Sequence, residues 1–284
     1  MRVVTWNVNR FNGTRDWYHE GDLEISERLV YAQKIVEKLK TIIETEDDIA
    51  ILQEVPFNRN EWEGVKEFEG WGKLLEKDFG VHAWFNEEYN RQEEDRRKDF
   101  NYGQSNNFTI AITMKQSRWR LRTFDNRFIN FGEEDGMHNW ANRYIEMENG
   151  KISLLGIHVT AYDEKKEKEG QSYDIQWKQI RSAAGATEGA KFTFIVGDFN
   201  TNDLKYKSNT NMQDLEGKDY VRVIKNDIIT NNRECTSIDN IFIDKSFGFD
   251  ISNVQAAVID SCLITQSNNY SVRYSDHNIC ICEL

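Results

Sequence analysis

Phe192-Thr193-Phe194-Ile195-Val196-Gly197-Asp198-Phe199-Asn200 is the stretch on which the fold turns. Its first five residues are apolar or β-branched and read as a buried strand. Gly197 then breaks the run, and Asp198 and Asn200 follow, a carboxylate and an amide two positions apart at the strand end. Aspartate and asparagine also follow strands because their side chains cap turns, so the tetrapeptide gains meaning from its company. Asn7, Glu54, His158, Asp239, Asp276 and His277 each stand at, or just after, the end of another short β-rich segment.

Working outward, a first strand is expected over residues 3–8 and a helix from about 28 to 45, where Leu29, Ala32, Val36, Leu39 and Ile43 recur at alternating spacings of three and four. Ile49-Ala50-Ile51-Leu52 reads as a strand covered on both faces, and it delivers Gln53-Glu54 at its end. Further strands are expected over 82–85, 108–114, 119–124, 144–147, 152–159, 220–224, 237–243, 253–259 and 279–284, with a second helix over 173–186. Many strands with few helices between them do not fit a strictly alternating parallel design. They fit a layered α/β protein with two packed sheets and helices outside. One proline, Pro56, leaves no proline-rich linker, so a single domain over 1–284 is expected.

The 36 basic and 48 acidic residues give a formal charge of −12, which opposes loose, sequence-independent attraction to a nucleic-acid backbone. Bound dications or a local basic strip reverse the potential at one cleft without changing that total. No apolar run has membrane-spanning length, and Met1-Arg2-Val3-Val4-Thr5-Trp6 leads straight into a strand pattern, so no signal peptide is expected. Cys235, Cys262, Cys280 and Cys282 lack zinc-like or CxxC spacing, and Cys280 and Cys282 would share the core face of one strand. The expectation is a reduced, cytoplasmic monomer.

The polar residues at the strand ends match what phosphoester hydrolysis requires: a proton acceptor for the attacking water and positive charge against the phosphoryl oxygens. Hard cations such as Mg²⁺ need only one or two carboxylates beside water and substrate oxygens, and Glu54 is the best candidate ligand. Asp198 suits the proton acceptor, and Asn200 suits orientation of the water or a phosphoryl oxygen. In Ser275-Asp276-His277 the imidazole would face the phosphate while Asp276 approaches a metal. A charged His277 needs a carboxylate partner, for which Asp239 is available. His158 offers a second phosphate-facing hydrogen bond.

These residues carry a resemblance. Trp6-Asn7, Leu52-Gln53-Glu54, Gly156-Ile157-His158, Gly197-Asp198-Phe199-Asn200, Ile238-Asp239-Asn240-Ile241-Phe242 and Ser275-Asp276-His277 resemble, in this order, the motifs of the deoxyribonuclease I-like endonuclease/exonuclease/phosphatase superfamily. The resemblance implies a four-layered αββα sandwich and phosphoester hydrolysis with Mg²⁺ or Mn²⁺. It implies metal binding by Asn7, Glu54 and Asp276, and a nucleophile handled by Asp198 and Asn200. It also implies His277 oriented by Asp239 onto the scissile phosphate, and His158 as a second phosphate-facing histidine. A histidine at 158 resembles the deoxyribonuclease I and phosphatase branches, whereas abasic-site enzymes usually place a tyrosine there. Asn240, without a preceding proline, departs from the inositol 5-phosphatase pattern.

Two segments are candidates for reading substrate. Arg118, Arg120 and Arg122 alternate along a strand pattern, as for a strip that tracks a phosphate backbone or, the preferred reading, for a solvated edge. In Asn139-Trp140-Ala141-Asn142-Arg143 the tryptophan could stack on a base, and Arg143 is the preferred auxiliary cation on substrate. The expected function is a metal-dependent nuclease hydrolysing phosphodiester bonds. The alternative substrate is a small phosphoester, such as a lipid headgroup, nucleotide or inositol phosphate. A binding module without catalysis fits poorly, because every expected polar residue is present.

Overall fold

Alternation along the strand β1 (Arg2–Asn7) sends its two faces to different partners. Val4 and Trp6 pack with Ala32, Ile35, Val36 and Leu39 of a helix, whereas Val3 packs against residues of another sheet. This is a computed structural model, and it describes residues 1–55, 80–84, 86, 108–122, 141–161, 172–185, 191–201, 211–225, 227–233, 235–260, 262–265, 271–273 and 275–284. A one-turn helix, α1 (Trp17–Glu20), precedes the helix packed on β1, α2 (Ile25–Lys40).

The first six-stranded sheet runs β11 (Gln255–Ile259), β14 (Ile279–Glu283), β1, β2 (Ile49–Val55), β4 (Phe108–Met114), β3 (Val81–Trp84). The second runs β5 (Arg120–Leu121), β6 (Tyr144–Asn149), β7 (Ile152–His158), β8 (Phe194–Asp198), β10 (Asp239–Asp244), β9 (Tyr220–Arg222). Strands β12 (Cys262–Thr265) and β13 (Ser271–Arg273) form a separate pair. α2 covers the outer face of the first sheet. α3 (Ser172–Ala184) and α4 (Asn211–Glu216) cover the second through Tyr173, Trp177, Ile180, Met212 and Leu215. Between the sheets lie Val3, Ile51, Ala111, Ile145, Leu154, Phe194, Val196, Ile241, Cys280 and Cys282. The order is helix, sheet, sheet, helix, as the resemblance implies.

Each sheet is mixed. β1 runs parallel to β2, and β7 runs parallel to β8, while the other pairs are antiparallel. Parallel neighbours need a crossover, supplied by α2 in one sheet and α3 in the other. As a result β1, β2, β7 and β8 all deliver their carboxyl ends to one rim of the sandwich. Two glycines permit the close packing there. A Cβ on Gly156 would lie 2.7 Å from Ile51 Cγ2 across the sheets, and one on Gly197, where φ is 148°, would lie 1.9 Å from the Ile157 carbonyl oxygen.

Several expectations need correction. The strand expected over 119–124 is two residues long, and residues 123–124, like Trp140, lie outside the described set. The arginine strip is not one exposed face. Arg118 pairs with Asp47 at 2.7 Å, just before β2 begins, and Arg122 meets Glu148 at 3.5 Å beside the β6–β7 turn. Both contacts are at the rim opposite the carboxyl ends of β2 and β7, so the strip does not border the cluster described below. α1, α4, β12 and β13 were not expected: each is short, and none carries a clear periodicity.

Candidate active site

Strand direction explains why the polar residues meet. Asn7, His158 and Asp198 terminate β1, β7 and β8, Asp239 opens β10 opposite Asp198, and Asp276-His277 lead into β14. Each strand-borne side chain has the parity of its inter-sheet neighbours, so each is aimed into the seam at the rim. Glu54 is the exception. Simple alternation would turn it towards α2, but β2 shifts register between Leu52 and Val55, and Glu54 adopts a φ of 54°. This bulge re-aims the carboxylate.

Asn7 joins the two halves of the site. Its side-chain nitrogen donates to Glu54 Oε1 at 3.2 Å and to Asp198 Oδ2 at 2.9 Å, while its oxygen accepts from the Asn9 backbone N–H at 2.9 Å. The donor end of the amide therefore faces the carboxylates and ties them together. Asp198 also accepts from the Asn200 backbone N–H at 2.8 Å. Asn200, at a φ of 47°, spends its side-chain nitrogen on the Val159 carbonyl at 2.7 Å. Burial, with the Asp239 charge behind it, pushes the Asp198 carboxyl up to about 7, against the pull of His277, Asn7 and Asn200.

The histidines differ in state. His158 receives Arg143 Nη1 at its Nδ1, 3.4 Å away, so Nε2 carries the hydrogen, 3.6 Å from Glu54 Oε1 and 4.0 Å from Asp198 Oδ2. Burial, then the charges of Arg143 and His277, hold this imidazole well below its usual range, and it is neutral. For His277 burial acts the same way, but the carboxylates of Asp239, Asp276 and Asp198 outweigh it and hold the ring well above its usual range. Nδ1 lies 2.8 Å from Asp239 Oδ2, and Asn231 lies 3.0 Å from Nε2 through its amide nitrogen. An imidazolium donates from both nitrogens, so with this charge the Asn231 amide turns its oxygen to the ring.

Two places suit a cation. Asp198, Asp239 and His277 bring ligand atoms within 4.8 Å of one another. That group is already joined by the His277–Asp239 hydrogen bond, so an ion there would displace the ring proton. At Glu54 the buried Oε2 accepts no hydrogen bond from the described residues. Burial raises the Glu54 pKa and Asp276 adds to the effect, which is the donor chemistry that a hard dication relieves. Asp276 itself is held by Arg233 at 2.9 Å.

All nine expected residues, Asn7, Glu54, Arg143, His158, Asp198, Asn200, Asp239, Asp276 and His277, therefore gather at this rim. Others were missed. Trp6 donates its indole N–H to the His277 carbonyl at 3.2 Å, and Ser275 donates to the Asn7 carbonyl at 2.7 Å and accepts from the His277 N–H at 3.1 Å. Thr230 Oγ1 accepts the N–H of both Ile238 and Asp239 at 3.0 Å. Trp6 and Ser275 stand inside the quoted motifs but were given no role there, and no motif flags Thr230. Asn240, where the resemblance departs, faces away and pairs both its amide atoms with the Ile224 backbone at 2.8 and 3.1 Å.

The four-layered sandwich is a fold that this chain shares with solved structures of other proteins. No family model and no curated protein matches the chain. Solved structures do. The 3'-5' exonuclease NExo from Neisseria meningitidis superposes with a TM-score of 0.56 at 13% identity, over 100% of this chain and 99% of its own. Truncated TDP2 from Caenorhabditis elegans gives 0.56 at 14% identity, over 99% and 96%. Beta toxin from Staphylococcus aureus gives 0.53 at 15% identity, over 100% and 99%.

Proposed function

We propose that the chain, as one domain over 1–284, is a divalent-metal-dependent hydrolase of phosphodiester bonds, with nucleic acid as the preferred substrate. The observation that carries this reading is the pairing of Asp198, its carboxyl pushed up to about 7, with His277, 3.9 Å away and backed by Asp239, and on the same rim a Glu54 oxygen that has no partner among the described residues. In the same cleft the two imidazoles are displaced in opposite directions, His158 down and His277 up, and groups pushed apart in this way are the mark of acid–base work. The neighbours support the substrate class: NExo is described as an exonuclease, and a TDP2 from D. rerio is described in complex with a single-strand DNA product.

Glu54 would hold a Mg²⁺ or Mn²⁺ ion, with Asp276 close by, and that ion supplies positive charge against the phosphoryl oxygens. Asp198 takes the proton of the attacking water, and Asn7 and the Asn200 N–H fix the carboxylate for that task. His277, charged and backed by Asp239, donates to the phosphoryl group. His158 donates from Nε2, its tautomer set by Arg143, which also adds a cation beside the ester.

Incubation with single-stranded DNA, duplex DNA, RNA and bis(p-nitrophenyl) phosphate, each with Mg²⁺, Mn²⁺ or EDTA, tests the reading. Metal-dependent cleavage of a nucleic acid is expected. Hydrolysis of the small ester alone would select the second reading, a small phosphoester, which the charge of −12 and the remote position of Arg118 favour. No cleavage of any substrate would reject both.

A further inference from the structure

The segment Ile229–Arg233 carries no recognised motif, yet it grips each residue from Asp276 to Asn278. Asn232 N–H donates to the Asp276 carbonyl at 2.7 Å, Asn278 N–H donates to the Thr230 carbonyl at 2.7 Å, and the Asn278 side chain donates to the Ile229 carbonyl at 3.0 Å. Asn231 forms isolated antiparallel bridges with both His277 and Thr236. Its side chain is buried and lies 3.0 Å from His277 Nε2, while Nδ1 of the same ring is 2.8 Å from Asp239 Oδ2. The imidazole is thus held at both nitrogens.

One hydrogen bond leaves a ring free to tilt about that bond, and a second, at the far nitrogen, fixes its plane. The nitrogen that Asn231 occupies is also the one with which His277 would meet a phosphoryl oxygen, since the other is committed to Asp239. We propose that Asn231 is a positioning residue, which sets the plane of the His277 ring and keeps Nε2 in register for the phosphoryl oxygen that shares or takes over its hydrogen bond. The proposal rests on the phosphoesterase reading above for its catalytic consequence, but its structural core is independent of that reading.

The effect should fall on the reaction step more than on binding, because the amide orders a group that acts in the transition state. Small misplacements of such groups lower rates by up to about 100-fold.

The test compares wild type with Asn231→Ala, Asn231→Leu and Asn231→Asp. Leucine keeps the volume without polar atoms, and aspartate keeps an acceptor for the ring. In ¹⁵N-labelled protein at one fixed pH, the downfield Nδ1–H resonance between His277 and Asp239, identified by its loss in His277→Gln, reports how firmly the ring is held. Exchange of that proton with water should accelerate by about 10-fold or more in the alanine and leucine variants and stay near wild type in the aspartate variant. With bis(p-nitrophenyl) phosphate and Mg²⁺, kcat should fall by about 10- to 100-fold for alanine and leucine with KM within about 3-fold. Wild-type exchange in the leucine variant would mean that packing alone holds the ring, and would overturn the proposal, as would unchanged kcat with accelerated exchange. Should Asn231→Ala fail to fold, the two variants of equal size still decide it. Should wild type cleave nothing, the phosphoesterase reading fails while proton exchange still judges the role of Asn231.

Discussion

At the scale of single residues, the site holds charge at the expense of stability. The folded Asp198 carboxyl titrates near 7 against an ordinary 3.8, so the folded protein retains a proton that the unfolded chain releases. Stability therefore falls as pH rises through that window, and the protein is most stable, with respect to this group, below it. Asp198→Asn should raise the melting temperature at pH 8, and the gain should shrink towards pH 4, as differential scanning calorimetry without added metal would measure. The same substitution should lower kcat by several orders of magnitude, since it removes the proposed proton acceptor. In wild type kcat/KM should fall as pH drops through about 7, with the midpoint moved lower by a bound dication. Glu54→Gln isolates the proposed ion ligand. Mg²⁺ or Mn²⁺ should raise the melting temperature of wild type and leave that of the variant unmoved.

At the scale of elements, backbone shape does what side-chain alternation does not. Gly197 illustrates it: because a Cβ there would sit 1.9 Å from the Ile157 carbonyl oxygen, the β7–β8 pair closes only around a glycine. Gly197→Ala should destabilise by about 3 kcal/mol or more, read by urea unfolding, or abolish folding. The helix stripe of Ala32, Val36 and Leu39 and the apolar runs of β2 and β8 were legible because burial imposes a period on the sequence. The bulge at Glu54 was not, since a positive φ at a non-glycine residue leaves no periodic trace. The Asn231 strap was illegible for a related reason: its grip on His277 spans 46 positions, and Asn-Asn-Arg in isolation reads as loop. Arg118, Arg120 and Arg122 were misplaced because alternation predicts a shared face only while a strand persists, and β5 lasts two residues.

At the scale of the whole molecule, two parallel strand pairs facing one another bring Asn7, Glu54, His158 and Asp198 together across as many as 191 positions of sequence. The motif order carried that arrangement, and the sheets explain it. The cations at the opposite rim should be dispensable: Arg118→Ala with Arg120→Ala should leave kcat/KM on a short DNA substrate within about 2-fold and its salt dependence unchanged. The inter-sheet layer has a further consequence. Cys280 and Cys282 are sealed in it, and burial holds their thiols well above the usual range, whereas Cys235 is exposed. A thiol-trapping reagent should mark Cys235 at once and reach the buried pair only when the sheets part, which turns the two sulfurs of β14 into a clock for the opening of the sandwich.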